Sequence, residues 1–181
     1  MEPSAAAVRQ PPMLLVGICG SMQSSSSNLT LLQRAGELIE DVTDGRMAFR
    51  IFDGVRDLPL FDPDIERDGP PPDSVTAMRA ALTGADALLI ASPEYGHSLP
   101  GALKNVIDWL IGSGELEGKV VGVTAAVVHE ARGRRGLNAL LGTLAAVSAR
   151  VVGGNGIVIA AEFDRQLRAL LSGIFEAASA A

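Results

Sequence analysis

Residues 13–19 read Met13-Leu14-Leu15-Val16-Gly17-Ile18-Cys19, an apolar run with no alternating polar positions. An alternating strand buries one face, whereas a continuous apolar run is typical of a strand buried on both faces of a parallel sheet. Apolar residues recur at helical spacing over 28–41, so a helix is predicted shortly after this strand. The pair forms the first strand–helix unit of an α/β fold.

The same alternation continues along the rest of the chain. Further strands are predicted at 48–52, 85–91, 119–126 and 151–159, the last interrupted by the glycines of 153–156. Further helices are predicted at 73–83, with Asp73 as its cap, and at 100–111, 136–148 and 162–178. Such alternation predicts a parallel sheet with right-handed crossovers and helices on both faces. We expect a three-layer α/β/α sandwich whose five strands follow the order 2-1-3-4-5.

Length and composition predict one domain. The chain has 181 residues, 48% hydrophobic and 20% charged, which suits a single globular domain over 13–181. Residues 1–12 have no long apolar core and are expected to be a disordered tail rather than a signal peptide. The segment 53–72, rich in Asp, Pro and Gly, is predicted to be a loop that forms a flap or an oligomer contact.

Charge and residue counts exclude several function classes. A net charge of −6 argues against nucleic-acid binding, and no apolar run is long enough for a membrane helix. The chain has one cysteine and two histidines, so neither a disulfide nor a metal site is expected. Cys19 is predicted to be an inert core residue. A cytoplasmic location is expected.

Between the first strand and the first helix lies the serine loop, residues 20–28, which reads Gly-Ser-Met-Gln-Ser-Ser-Ser-Ser-Asn. Backbone N–H groups at a helix N-terminus favour an anion, and hydroxyl and amide side chains add donors. Neither G-x-G-x-x-G nor a P-loop of the required spacing is present, so a single phosphomonoester fits best. Alternatively, Ser27 or Asn28 only caps the helix and the serines are solvated.

The tyrosine loop, residues 92–98, follows the third predicted strand and reads Ser-Pro-Glu-Tyr-Gly-His-Ser. Strands one and three are neighbours in the expected order, so this loop faces the serine loop at the edge where open α/β sheets bind ligands. Tyr95 offers a flat body with a polar tip, against which a planar heterocycle could lie. Alternatively, Tyr95 and His97 are ordinary surface residues. Trp109 is expected in packing or an interface.

Two motifs carry a resemblance to a known family. The first is Gly20-Ser21-x-Gln23-x-x-Ser26-x-Asn28, and the second runs from Ser92-Pro93-Glu94-Tyr95 through Ser98-Leu99-Pro100-Gly101-x-Leu103-Lys104-Asn105-x-Ile107-Asp108-Trp109. Together they strongly resemble the NADPH-dependent FMN reductases, flavodoxin-like flavoenzymes that include quinone, chromate and azo-dye reductases. The resemblance spans roughly residues 13–160.

This resemblance implies a flavodoxin-like fold, an FMN cofactor, NADPH or NADH as hydride donor, and a small-molecule electron acceptor. It places Ser21, Gln23, Ser26 and Asn28 at the phosphate of FMN, and Pro93, Glu94, Tyr95 and Gly96 at the isoalloxazine ring. Backbone N–H groups near 94–96 are expected to donate to the polar edge of the ring. A homodimer or homotetramer is also implied. No side chain is assigned a catalytic role, because the flavin carries the chemistry.

The chain departs from the family pattern at three places. Position 23 is usually Arg, position 96 is usually Asn, and the loop after strand four is usually rich in Gly and Ser. Here that loop carries Arg132, Arg134 and Arg135. These arginines are either a solvated patch or a binding site for an anion, such as the 2′-phosphate of NADPH or a carboxylate across a subunit interface. An electron carrier, or a module that has lost flavin, are the alternative functions.

Overall fold

A computed structural model describes residues 11–129 and 131–181 of the chain. The tail predicted over 1–12 therefore falls mostly outside the described residues, as does Glu130. In the described ranges, the strands are β1 (Met13–Cys19), β2 (Met47–Phe52), β3 (Ala87–Ala91), β4 (Val120–Val127) and β5 (Arg150–Val158). The α-helices are α1 (Ser27–Thr43), α2 (Pro63–Asp68), α3 (Asp73–Thr83), α4 (Gly101–Asp108), α5 (Arg134–Ala146) and α6 (Phe163–Ser179).

The strands form one parallel sheet in the order β2-β1-β3-β4-β5, which confirms the predicted fold. Successive strand residues point to opposite faces, so Leu15 joins the core under α1 and α6, while Val16 joins the core under α3, α4 and α5. Two apolar layers therefore bury both faces of β1, as its continuous apolar sequence predicts. No helix in the described ranges is long and apolar enough to cross a membrane.

Several local predictions were wrong. The segment 53–72 is not a plain loop, because it contains a 3-10 turn at Gly54–Asp57 and helix α2. Asp73 is the first residue of α3 rather than its cap, and its side chain makes no capping hydrogen bond. The glycine run disturbs β5 without ending it, since the strand continues through Gly153 and Gly154 at positive φ and its register against β4 shifts there. Glycine tolerates this conformation, which sequence pattern alone cannot place.

Candidate cofactor-binding site

A cavity of about 370 Å³ lies at the carboxyl ends of β1, β3 and β4. This is the edge where ligands bind in open α/β sheets. The residues that line the cavity are Ser21, Gln23, Ser25, Ser26, Ser27, Asn28, Pro93, Glu94, Tyr95, Ala125, Ala126, Val127, Arg132 and Gly133. Of the predicted site residues, only Gly96 is absent from this lining. The serine loop and the tyrosine loop therefore share one concave surface, as the strand order predicts.

A larger cavity, about 540 Å³, lies along β5 between α5 and α6. It is lined mainly by apolar side chains and by the glycines of β5, and it contains none of the predicted site residues. Size alone does not identify a ligand site, because function depends on convergent polar groups as well as volume. The smaller cavity has those groups.

The serine loop is shaped by its own side chains. Ser26, rather than Ser27 or Asn28, caps α1, because its hydroxyl accepts a hydrogen bond from the backbone N–H of Asn28 at 3.2 Å. The Ser21 hydroxyl accepts from the N–H of Gln23 at 3.2 Å. Among the described residues, no acceptor meets the backbone N–H groups of Ser24, Ser25 or Ser27. These groups are available to an anion at the N-terminus of α1.

Asn28 joins the serine loop to the end of β4. Asn28 as a whole is 5% exposed, and its Oδ1 accepts a hydrogen bond from the N–H of Ala126 at 2.9 Å. The amide nitrogen remains as a donor beside the cavity, because an asparagine side chain has both an acceptor and a donor end.

Cys19 is buried at the end of β1, and burial raises the pKa of its thiol, in keeping with an inert thiol.

The tyrosine loop is a tight turn. Tyr95 and Ser98 exchange two backbone hydrogen bonds of 3.0 Å, while Gly96 and His97 between them have positive φ. Tyr95 is 53% exposed, and its phenol oxygen lies 3.5 Å from the Ser21 hydroxyl across the cavity. Of the backbone N–H groups near 94–96 that are expected to donate to the ring, the Tyr95 N–H is not available, because it donates to the Ser98 carbonyl within the turn. Gly96 N–H has no acceptor among the described residues, but Gly96 does not line the cavity.

Glu94 binds protein groups. Its Oε2 accepts hydrogen bonds of 3.0 Å from the backbone N–H groups of Arg135 and Gly136, and its Oε1 lies 3.1 Å from Nδ1 of His97. The hydrogen bond from Gly136, then that from His97, holds the pKa of the Glu94 carboxyl below its usual value. Glu94 thus caps α5, a helix whose own N-cap residue, Gly133, has no side chain to do so.

Sequence reasoning missed this cap, although the start of α5 gives a signal. The helix begins with two arginines and has no acidic residue in its first turn. Positive side chains at that end oppose the helix dipole, so an anion from elsewhere is expected. The structure supplies one from the tyrosine loop of the same chain, whereas the sequence suggested only a ligand or a second subunit.

Asn105 and Trp109, two residues of the second motif, hold a neighbouring segment. Asn105 accepts a hydrogen bond from the N–H of Phe61 at 2.7 Å and donates one to the carbonyl of Pro59 at 2.9 Å. The indole N–H of Trp109 donates to the same Pro59 carbonyl at 2.9 Å, and Trp109 is fully buried. Of the two roles expected for Trp109, packing is therefore the one observed. These contacts fix the segment beside α4, and they do not reach the cavity.

The sequence pattern of the NADPH-dependent FMN reductase family matches residues 13–164, most of the chain. The chain belongs to this family. An NAD(P)H:quinone oxidoreductase from Solanum tuberosum is 41% identical over 100 residues, which cover 55% of this chain and 50% of that protein. An NAD(P)H-dependent FMN reductase from Pseudomonas aeruginosa is 38% identical over 122 residues, covering 67% of this chain and 62% of that protein. The matched regions thus span about half to three fifths of the length of these two relatives.

A solved structure supports the fold of this FMN reductase family member. FerB, a flavoenzyme NAD(P)H:(acceptor) oxidoreductase from Paracoccus denitrificans, superposes with a TM-score of 0.76 at 21% identity. The superposition covers 93% of this chain and 98% of FerB. At that identity the likeness establishes the architecture alone.

Two of the departures from the FMN reductase family pattern, Gln23 and Arg132, lie at the cavity. Gln23 lines it, and its side-chain amide donates to the Ser25 hydroxyl at 3.1 Å, so it stays within the serine loop. Arg132 also lines the cavity, in the arginine loop that joins β4 to α5 (residues 128–133, with Glu130 outside the described residues). Arg134 instead lines the cavity along β5. The three arginines therefore do not form one site.

Proposed function

We propose that the protein is an FMN-dependent NAD(P)H oxidoreductase that passes reducing equivalents from NAD(P)H to a small-molecule acceptor, such as free FMN or a quinone. The observation that carries this proposal is the single cavity shared by the serine loop, the tyrosine loop and the end of β4 in a chain of the FMN reductase family. The proposed FMN-binding residues are those named from the sequence: Ser21, Gln23, Ser26, Asn28, Pro93, Glu94, Tyr95 and Gly96.

The serine loop fits the phosphate of FMN. The N-terminus of α1 carries hydroxyls and backbone N–H groups that have no acceptor in the described part of the chain, and its first turn has no acidic residue to repel an anion. The bond from Ala126 to Asn28 fixes the amide nitrogen of Asn28 beside them. A preformed set of donors costs little reorganisation on binding, so these residues suit a phosphate.

The tyrosine loop fits a planar ring. The paired hydrogen bonds between Tyr95 and Ser98 make the turn rigid, and the carboxylate of Glu94 ties it to α5. The carboxylate of Glu94 thereby positions the tyrosine loop against the N-terminus of α5. Tyr95 and Pro93 line the cavity and supply flat or apolar surface for the ring.

When bound, FMN would supply the redox chemistry, namely hydride transfer from the nicotinamide and reduction of the second substrate. The chain's own residues bind the phosphate, orient the ring and leave the cavity open on one side.

The proposal also includes one FMN-binding domain over 13–181, a homodimer or homotetramer, and a cytoplasmic location. Light scattering on the purified protein tests the oligomeric state.

An absorption spectrum of the purified protein, with added FMN and then with NADPH, tests the proposal. We expect a flavin spectrum that shifts on binding and bleaches with NADPH. A protein that never binds FMN contradicts the proposal and favours a flavodoxin-like module that has lost flavin. A protein that binds FMN but does not consume NADPH or NADH favours an electron carrier.

A paired substitution tests the placement of the phosphate. Asn28→Asp keeps the oxygen that accepts from Ala126 but replaces the amide donor with a negative charge. Asn138→Asp adds the same charge on the exposed face of α5, away from the cavity. We expect Asn28→Asp to weaken FMN binding at least about tenfold, because a charge-assisted contact is lost and repulsion is added. Equal affinities of the two variants would contradict this placement.

A further inference from the structure

We infer that the guanidinium of Arg132 binds the phosphate of FMN and supplies the positive charge that the serine loop lacks. This inference rests on the FMN binding proposed above and adds a specificity-determining residue to it. Arg132 lies outside both motifs that carry the family resemblance, in a loop that differs from the usual family pattern.

The serine loop has no positive charge to neutralise a bound phosphate. The serine loop contains hydroxyl and amide side chains but no cation, since position 23 is Gln. A phosphate monoester carries a charge of about −1.5 to −2 at neutral pH. Among residues 11–129 and 131–181, the charged residues that line the cavity are Glu94 and Arg132, and Glu94 is negative. Arg132 is therefore the lining residue that can neutralise a bound phosphate.

The backbone brings Arg132 back toward the serine loop. Asn28 is hydrogen-bonded to Ala126 at the end of β4, so the arginine loop starts close to the N-terminus of α1. The loop then folds back, with the N–H of Arg132 donating to the carbonyl of His129 at 2.9 Å, and Gly133 turns into α5 at a φ of 82°. Arg132 and the serine loop line the same cavity.

Arg132 is free for this role within the described part of the chain. It is exposed, and no carboxylate of residues 11–129 or 131–181 forms an ion pair with it. Arg135, three positions further on, is equally exposed but lines neither the site cavity nor the cavity along β5. Arg135 therefore provides a matched control for the effect of removing one positive charge from this region.

The test compares FMN with riboflavin, which has the same ring and no phosphate. Dissociation constants for both flavins are measured by fluorescence quenching for the wild type, Arg132→Gln and Arg135→Gln, with circular dichroism to verify folding. We expect Arg132→Gln to weaken FMN binding about tenfold or more, the loss typical of a hydrogen bond to a charged group. Riboflavin affinity should stay unchanged. Arg135→Gln should alter FMN affinity less than about twofold, because exposed charges contribute little.

The outcomes separate this inference from the proposed function. A wild type that binds neither flavin refutes FMN binding itself. If the wild type binds FMN and the ratio of FMN to riboflavin affinity is the same in Arg132→Gln, the assignment of Arg132 to this phosphate is wrong. A further arm compares KM for NADPH and NADH. An effect of Arg132→Gln confined to NADPH, with an unchanged flavin ratio, also overturns the inference and assigns the residue to the 2′-phosphate instead.

Discussion

Gly136 allows α5 to pack directly against the tyrosine loop, and replacing it with alanine should separate them. A Cβ at position 136 would lie 2.9 Å from the Cα and Cβ of Glu94 and 3.1 Å from the carbonyl oxygen of Ser98. Two of these three atoms belong to the backbone, which cannot move aside as the end of a flexible side chain can. The Gly136 N–H that donates to Glu94 is retained in Gly136→Ala, so the perturbation is steric.

The same helix offers a control at Gly142. It is exposed, and a Cβ there would meet nothing within 4 Å. Gly142→Ala should stabilise the protein by about 0.5–1 kcal/mol, because alanine is the better helix former. Gly136 lies in the first turn of α5, where the propensity gain is smaller, and Gly136→Ala adds an overpacking cost of about 1–3 kcal/mol. We therefore expect Gly136→Ala to unfold at lower urea concentration than the wild type, and Gly142→Ala at higher concentration.

The clash should also reach the cavity. Glu94 and Tyr95 are adjacent in sequence, so moving the tyrosine loop away from α5 also moves the side chain of Tyr95. Its phenol oxygen would then leave its position 3.5 Å from the Ser21 hydroxyl. We expect weaker FMN binding in Gly136→Ala and unchanged binding in Gly142→Ala. Urea unfolding followed by circular dichroism gives the stabilities, and flavin fluorescence quenching gives the affinities. If both variants are stabilised equally and bind FMN as the wild type does, close packing at Gly136 does not position the site.

Two other predictions concern single contacts. Glu94→Gln should lower stability at neutral pH, and the difference from wild type should shrink as pH falls. The pKa of the Glu94 carboxyl is lower in the folded protein than its ordinary value, so the ionised carboxylate stabilises the fold. This stabilisation is fully present above the ordinary glutamate pKa. It is lost as the pH falls through the lowered folded-state pKa. Urea midpoints at several pH values check this, and a pH-independent difference would contradict it. Trp109→Phe should destabilise the protein by about 2 kcal/mol, because it removes the hydrogen bond to the Pro59 carbonyl and leaves a small cavity. An unchanged urea midpoint, followed by circular dichroism, would contradict this prediction.

The sequence predicts helices and strands well where a long hydrophobic pattern marks them. It predicts them less well where a contact with a distant residue determines the local structure. The strand at Met13–Cys19 was predicted at its observed bounds because two apolar layers cover it. The segment 53–72 looked like a loop because its Pro and Asp residues favour turns. Its 3-10 turn and helix α2 lie where Asn105 and Trp109 hold Pro59 and Phe61 in place. Such distant contacts leave no periodic signal in the segment itself.

The sequence alone determined the order of strands and the meeting of the serine and tyrosine loops, because strict strand–helix alternation and chain chirality leave few topologies. Only the tertiary structure decided which partner each polar group takes. Glu94 is separated by 41 residues from Arg135, and Asn28 by 98 residues from Ala126. Hydrogen bonds over such separations depend on how closely loops and helices pack. That packing makes Glu94 a support for the tyrosine loop and brings Arg132 to the edge of the cavity.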